Sequence, residues 1–215
     1  NHNYPIVGIT QEQAKAYSKW RSDRVFEYNL IKAGILEHNP NQRDSTHFSI
    51  ENYFEGKYHL PIVEKGDTVG LRKIEPDFSI PYPVYLLPTA EQRLLIMNYI
   101  DSTDALFHVR KAKKYEEWRE DNVPFLLAHN PCVEDSLAET IFRPVDHGLD
   151  KRNKFKLVQN SRGNVAEWGD ADKITYGGGW PHNVEYALSN DTILVDSSNA
   201  WTGFRNVCVW RKWEK

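Results

Sequence analysis

Sulfur is scarce in this chain. Only two cysteines, Cys132 and Cys208, stand among its 215 residues, which excludes a disulfide-dense scaffold. The two could close one long loop in an oxidising compartment or remain as small apolar thiols, and their spacing leaves both readings open. An excess of basic charge is also missing. The net charge is -3, so there is no electrostatic footprint for nucleic acid. No apolar run approaches the roughly 18 residues that a membrane helix needs, and no internal repeat or low-complexity tract occurs. A secretory leader is not visible, yet the first residue is Asn1 rather than Met. The expectation is therefore a processed protein or a segment of a longer chain. His38, His47 and His59 match no zinc spacing.

What is present is the composition of a folded protein, 13% aromatic and 27% charged, long enough for one large domain with a sizeable core. Thr10 with Gln13 forms a capping box that predicts a helix to a stop at Gly34. Its apolar positions, Ala14, Tyr17, Trp20, Val25, Tyr28 and Leu30 to Ile31, read as a core stripe. Residues 37–80 are polar and aperiodic, and read as an insertion of short helical or strand pieces that offers a partner surface. Val84 to Pro88 reads as a strand. Thr89 with Gln92 forms a second capping box and opens a helix through Ile100, with a charged third helix expected near residues 102–119. Phe125 to Ala128 reads as a short buried piece of either type. Trp168, Trp180, Trp201, Trp210 and Trp213 crowd the last third, where most of them read as core, and Val207 to Trp210 reads as a closing strand.

The chain is organised around Gly163-Asn164-Val165-Ala166-Glu167-Trp168. Gly and Asn both tolerate left-handed backbone angles, so a sharp bend is expected. A carboxylate fixed beside a core tryptophan must be paired, hydrogen-bonded or bound to metal. Spacing alone favours a structural Glu167.

Four segments occur in one order: Tyr4-Pro-Ile-Val-Gly-Ile-Thr10 with Ala14, Tyr17 and Trp20; Leu87-Pro-Thr89; Gly163 to Trp168; and Gly177-Gly-Gly-Trp180 leading to Gly203-Phe-Arg205. Together they resemble the formylglycine-generating-enzyme (sulfatase-modifying factor) family across nearly the whole chain. The resemblance implies a single α+β domain over residues 1–215, with the irregular, loop-rich, C-type-lectin-related fold of those enzymes and an insertion at about 37–80. Active members oxidise a substrate cysteine with two cysteines and copper. The matching positions here hold His182 and Ala187. An imidazole and a methyl group cannot replace two soft, redox-active thiolates. The implication is a pseudoenzyme with no catalytic residue and no copper.

A narrower resemblance is to the gliding-motility and type IX secretion lipoproteins, non-catalytic members of that family. It implies a structural partner of other envelope proteins in protein transport, at the periplasmic side of the bacterial outer membrane. Membrane attachment would come only from a lipidated segment outside this sequence. Two departures stand out: the approach Lys154 to Asn160 is one residue longer than the family's, and Arg93 replaces a usual tryptophan. The family's calcium ligands carry over to Asn160, Gly163, Val165 and Glu167, a donor set of amide, carbonyl and carboxylate oxygens suited to that ion. Arg162 and the extra residue oppose it, and the rival is Glu167 paired with a cation such as Arg205. Two further readings remain. One is a divergent oxidoreductase with a metal near His182, Asn183, Glu185 and Asp191. The other is a lectin-like binder using its tryptophans.

Overall fold

In a computed structural model the chain is described over residues 5–39, 42, 47–64, 67–109, 163–182 and 191–214. It is an α+β protein: α1 (Gln11–Lys32), α2 (Ile50–Phe54), β1 (His59–Glu64), β2 (Asp67–Lys73), β3 (Tyr82–Leu86), α3 (Ala90–Val109), β4 (Ala166–Trp168), β5 (Ile174–Tyr176), β6 (Thr192–Leu194), β7 (Thr202–Phe204) and β8 (Val207–Arg211). It divides into two compact units that alternate along the sequence. One contains residues 1–14 and 87–206, the other residues 15–86 and 207–215.

Both capping boxes form. Thr10 N–H donates to Gln13 Oε1 at 2.9 Å and Gln13 N–H donates back to Thr10 Oγ1 at 3.2 Å. Thr89 and Gln92 repeat the exchange at 3.0 and 3.1 Å. Each box satisfies amides that the first helical turn leaves without partners. Gly34, at φ 73°, ends α1, and Ile35 N–H donates to Leu30 O at 2.9 Å. α3 runs without a break to Val109, so the separate helix expected from residue 102 is, as far as it is described, one with its predecessor. Neither Asp101 nor Ser102 is a helix breaker. The piece at Phe125 to Ala128 lies outside the described residues.

The core stripe of α1 differs from the one its aromatics suggest. Tyr17, Trp20 and Tyr28 are 43%, 54% and 62% exposed, while Ala14, Ser18, Ser22, Phe26 and Leu30 are buried. The buried positions recur every fourth residue, and their polar members serve the backbone. Ser22 Oγ donates to Ser18 O at 2.9 Å and accepts from Tyr85 N–H at 2.8 Å. Asp23, also buried, accepts from Ile50 N–H at 2.9 Å, where α2 begins. Ser49 caps the same helix by accepting from Asn52 N–H at 3.1 Å.

Residues 37–80 do form short pieces, α2 and the β1–β2 hairpin. They also supply most of the second unit's core. Phe48, Ile50, Tyr53, Phe54, Tyr58, Leu60 and Ile74 join Phe26, Leu30 and Leu36 from α1 and its exit. Phe54 stacks on Phe26 at 5.6 Å and on Trp213 at 4.9 Å, contacts worth about 0.5–1.5 kcal/mol each beyond the area they bury. β3 pairs antiparallel with β8, Val84 facing Val209.

The other unit is built on a four-stranded sheet in the order β6-β5-β4-β7. β4 runs parallel to β7 and antiparallel to β5. Ala14, Leu87, Trp168 and Val195 form its buried apolar cluster. Among the late tryptophans only Trp168 is fully buried: Trp180, Trp201 and Trp213 are half-buried, and Trp210 is 61% exposed. A strand rim and loop turns leave the others one face in solvent.

Candidate functional site

The bend expected before β4 is present. Gly163 and Asn164 have φ of 70° and 62°. The reversal lets Gly163 N–H donate to Gly177 O at 2.7 Å and Asn164 O accept from Trp180 N–H at 2.9 Å. The organising stretch is thereby tied to the glycine-rich segment that follows β5. β4 then enters the middle of the sheet, with Glu167 opposite Tyr176 on β5 and Gly203 on β7. Gly203 is required there, because a Cβ would run into the backbone oxygen of Ile6.

Glu167 is buried, and both of its carboxylate oxygens are held by guanidinium groups. Oε1 accepts from Arg205 Nε at 2.9 Å and lies 2.7 Å from Arg205 Nη2. Oε2 accepts from Arg93 Nη1 at 3.2 Å. Arg93 comes from the first turn of α3 and its side chain is 6% exposed, whereas that of Arg205, just after β7, is 29% exposed. Glu167 in turn raises the pKa of Arg205. One carboxyl group and two guanidiniums meet in a poorly hydrated place. Such a group is held by its own complementarity, since each ion lost several kcal/mol of hydration on burial. Tyr176 is also buried, and desolvation raises its phenol pKa.

Two further residues hold the stretch in place. Trp168 Nε1–H donates to Ile9 O at 3.1 Å. The buried Gln11 donates through Nε2 to Gly169 O at 2.6 Å and Ala171 O at 2.7 Å, and its Oε1 accepts from Lys173 N–H at 3.2 Å. Every hydrogen-bonding function of that amide but one lone pair is used to fix the β4–β5 turn.

Of the residues carried over for calcium, Gly163, Val165 and Glu167 lie in this bend and strand, and Asn160 lies outside the described residues. The rival expectation, Glu167 paired with Arg205, is present in the structure, with Arg93 as a second partner that sequence reasoning registered only as a missing tryptophan. Its signal was its place four residues before Met97, since both are buried on α3.

His182 lies in the turn after the glycines. Its Nδ1 accepts from Gly179 N–H at 2.9 Å, and its ring stands edge-on to Trp201 at 4.4 Å. Partial burial lowers the pKa of this imidazole, opposed in part by its backbone hydrogen bond at Gly179. Asp191 is exposed, and Asn183, Glu185 and Ala187 lie outside the described residues. Cys208 is a free, exposed thiol on β8, and Cys132 lies outside the described residues. Among the described residues, no three His, Cys, Asp or Glu side chains gather into a metal-binding group, and no helix is long and apolar enough to cross a membrane.

No family model, curated protein or solved structure matches this chain.

Proposed function

We propose that this chain is a non-catalytic structural and interaction protein of a bacterial cell-envelope assembly, of the type IX secretion and gliding kind, with the C-type-lectin-related fold of formylglycine-generating enzymes. The motif order along the chain supports the family. The observation that carries the non-catalytic reading is the Arg93–Glu167–Arg205 group: the carboxylate at the centre of the motif has both oxygens engaged by the protein's own cations. His182, at a position where the family enzymes carry a cysteine, spends Nδ1 on a backbone amide of its own turn. The chemistry-bearing groups here stabilise a shape, and a stable shape is what an assembly subunit presents.

In this reading the protein works at the periplasmic side of the outer membrane among other envelope proteins, held there by a lipidated segment outside this sequence. Residues 37–80 cannot be tested as an interface by deletion, because Phe48 to Ile74 carry a core. The test is cross-linking mass spectrometry on intact cells that produce the full-length protein at its natural level. The expected result is recovery in the outer-membrane fraction with cross-links to other envelope proteins. Recovery in the cytoplasmic fraction, without such cross-links, overturns the reading.

A further inference from the structure

β3 and β8 make a sheet of their own, two strands wide, and its two edges differ. In an antiparallel pair, residues bonded across the ladder alternate with residues that turn N–H and C=O outward. Tyr85 N–H donates away from β8, to Ser22 Oγ of α1 at 2.8 Å. Pro83, two residues earlier, has no N–H to give to the ladder. Tyr85 and Pro83 are therefore the outward members of β3, and α1 engages that edge. Their register mates are Cys208 and Trp210. By the same alternation, Cys208 and Trp210 turn N–H and C=O to the opposite edge, where no strand pairs among the described residues. The devices that blunt an edge are missing from this part of β8. Val207-Cys208-Val209-Trp210 holds neither charge nor proline, and its register with β3 runs without a bulge. Cys208 is exposed, and Trp210 is 61% exposed.

We propose that β8 pairs antiparallel with β8 of a second copy of this chain about a two-fold axis at Val209, making a four-stranded sheet β3-β8-β8-β3. Outward residues must meet outward residues, so the bonded pairs of the new ladder are restricted to the even-numbered positions of β8. Among those registers, the one centred on Val209 overlaps the whole strand, from Val207 to Arg211. Cys208 of each copy falls opposite Trp210 of the other, and each such pair exchanges two N–H···O bonds, four in all. Val209 meets its own symmetry mate at the axis. Arg211 faces Val207, so no two cations are set opposite each other. The two Trp210 side chains, left largely in water by the single chain, become diagonal neighbours about 7–8 Å apart, within reach of aromatic rings. This match of the strand to itself favours a second copy over a foreign strand. A two-fold interface of this kind uses both open edges at once and closes on itself. The pairing stands on β3 and β8 alone and holds whether or not the chain serves in an envelope assembly.

One strand pair is a small interface, so the dimer is weak, with a Kd between about 1 µM and 1 mM. Sedimentation velocity of the purified chain across that range should show a monomer–dimer equilibrium. Trp210→Lys places a charge on the edge, and Cys208→Pro removes the N–H that each copy donates from that position. Each change should weaken association about tenfold or more. Neither position bonds to β3 and neither belongs to the apolar core, so an unchanged circular dichroism spectrum separates lost pairing from lost folding. Disulfide formation under oxidised glutathione tests the register, with Cys132→Ser in every chain. Val209→Cys combined with Cys208→Ser sets two thiols opposite each other at the axis, with Cα atoms about 4.5 Å apart, and should cross-link the dimer. The chain that keeps Cys208 as its one thiol should stay uncross-linked, because a diagonal of about 7–8 Å lies beyond a disulfide's span. A monomer throughout the range overturns the proposal, as does a dimer that both edge variants leave intact. Cross-linking through Cys208 and not through position 209 overturns this register.

Discussion

Removing the carboxylate of Glu167 should be among the most damaging single changes in its unit. Glu167→Ala removes the carboxylate that both Arg93 and Arg205 reach. Arg205 has a side chain 29% exposed and can turn toward water, but that of Arg93 is 6% exposed and cannot. Breaking a buried pair by deleting one member costs about 3–5 kcal/mol, and the partial escape of Arg205 places this case at the lower end, about 3 kcal/mol. Against a total stability of roughly 5–15 kcal/mol for an ordinary domain, that is a large share. Because the chain forms two units, a single global midpoint would mix them. The suitable assay is native-state hydrogen exchange at the amides of β4 and β5. The expected outcome is about a hundredfold faster exchange there, since about 1.4 kcal/mol is a factor of ten. Adding Arg93→Met removes one of the two buried cations that had faced the carboxylate and should recover about 1–2 kcal/mol. Exchange within about threefold of the parent protein, a change of roughly 0.6 kcal/mol, would refute the argument. So would a double variant whose costs simply add.

Calcium and pH probe the same region. With both Glu167 oxygens engaged by arginines, chelator-stripped protein should show no rise in unfolding midpoint at about 1 mM calcium, since only an ion bound to the folded state shifts it; a clear rise would support Asn160, Gly163, Val165 and Glu167 as ligands. The pKa of His182 is depressed below its ordinary 6.5 by burial, so the unfolded chain takes up the proton first as pH falls. Its contribution is intact above pH 6.5 and is lost as pH drops from there toward the folded pKa. Exchange at Gly179 should accelerate as pH falls below 6.5 beyond the intrinsic chemical trend, and His182→Gln should abolish that excess; identical profiles would show that the ring does not report on the turn.

Local chemistry made the helices legible. Each capping box is a four-residue pattern whose geometry depends on little else, so Thr10–Gln13 and Thr89–Gln92 located both long helices from sequence. The face of α1 was not legible in the same way. Hydrophobicity nominated Tyr17, Trp20 and Tyr28, but the core side is lined by Ser18, Ser22 and Asp23 along with Phe26 and Leu30. Those polar residues are buried because distant backbone amides, Tyr85 N–H and Ile50 N–H, need acceptors there. Periodicity cannot reveal a partner 27 or 63 residues away. Residues 37–80 misled for the related reason that their apolar residues are spaced irregularly around two turns and a bulge. The aromatic content that builds a core was present, but no single period displayed it.

The candidate site was half legible, and the division follows charge. A lone carboxylate between a glycine bend and a tryptophan had to be satisfied, and that requirement follows from desolvation without any structure. Which cation satisfied it was a matter of topology. Arg205 directly follows β7, the strand parallel to β4, so its proximity follows once β7 is placed beside β4. Arg93 arrives from a helix 74 residues away, and sequence could register it only as an arginine where the resembled family has a large aromatic. The exchange has a physical consequence. A tryptophan at that position would fill volume and leave Glu167 with one cation. An arginine gives the carboxylate a second one, so the motif becomes an internal ion group that ties the first turn of α3 to β4 and to the end of β7.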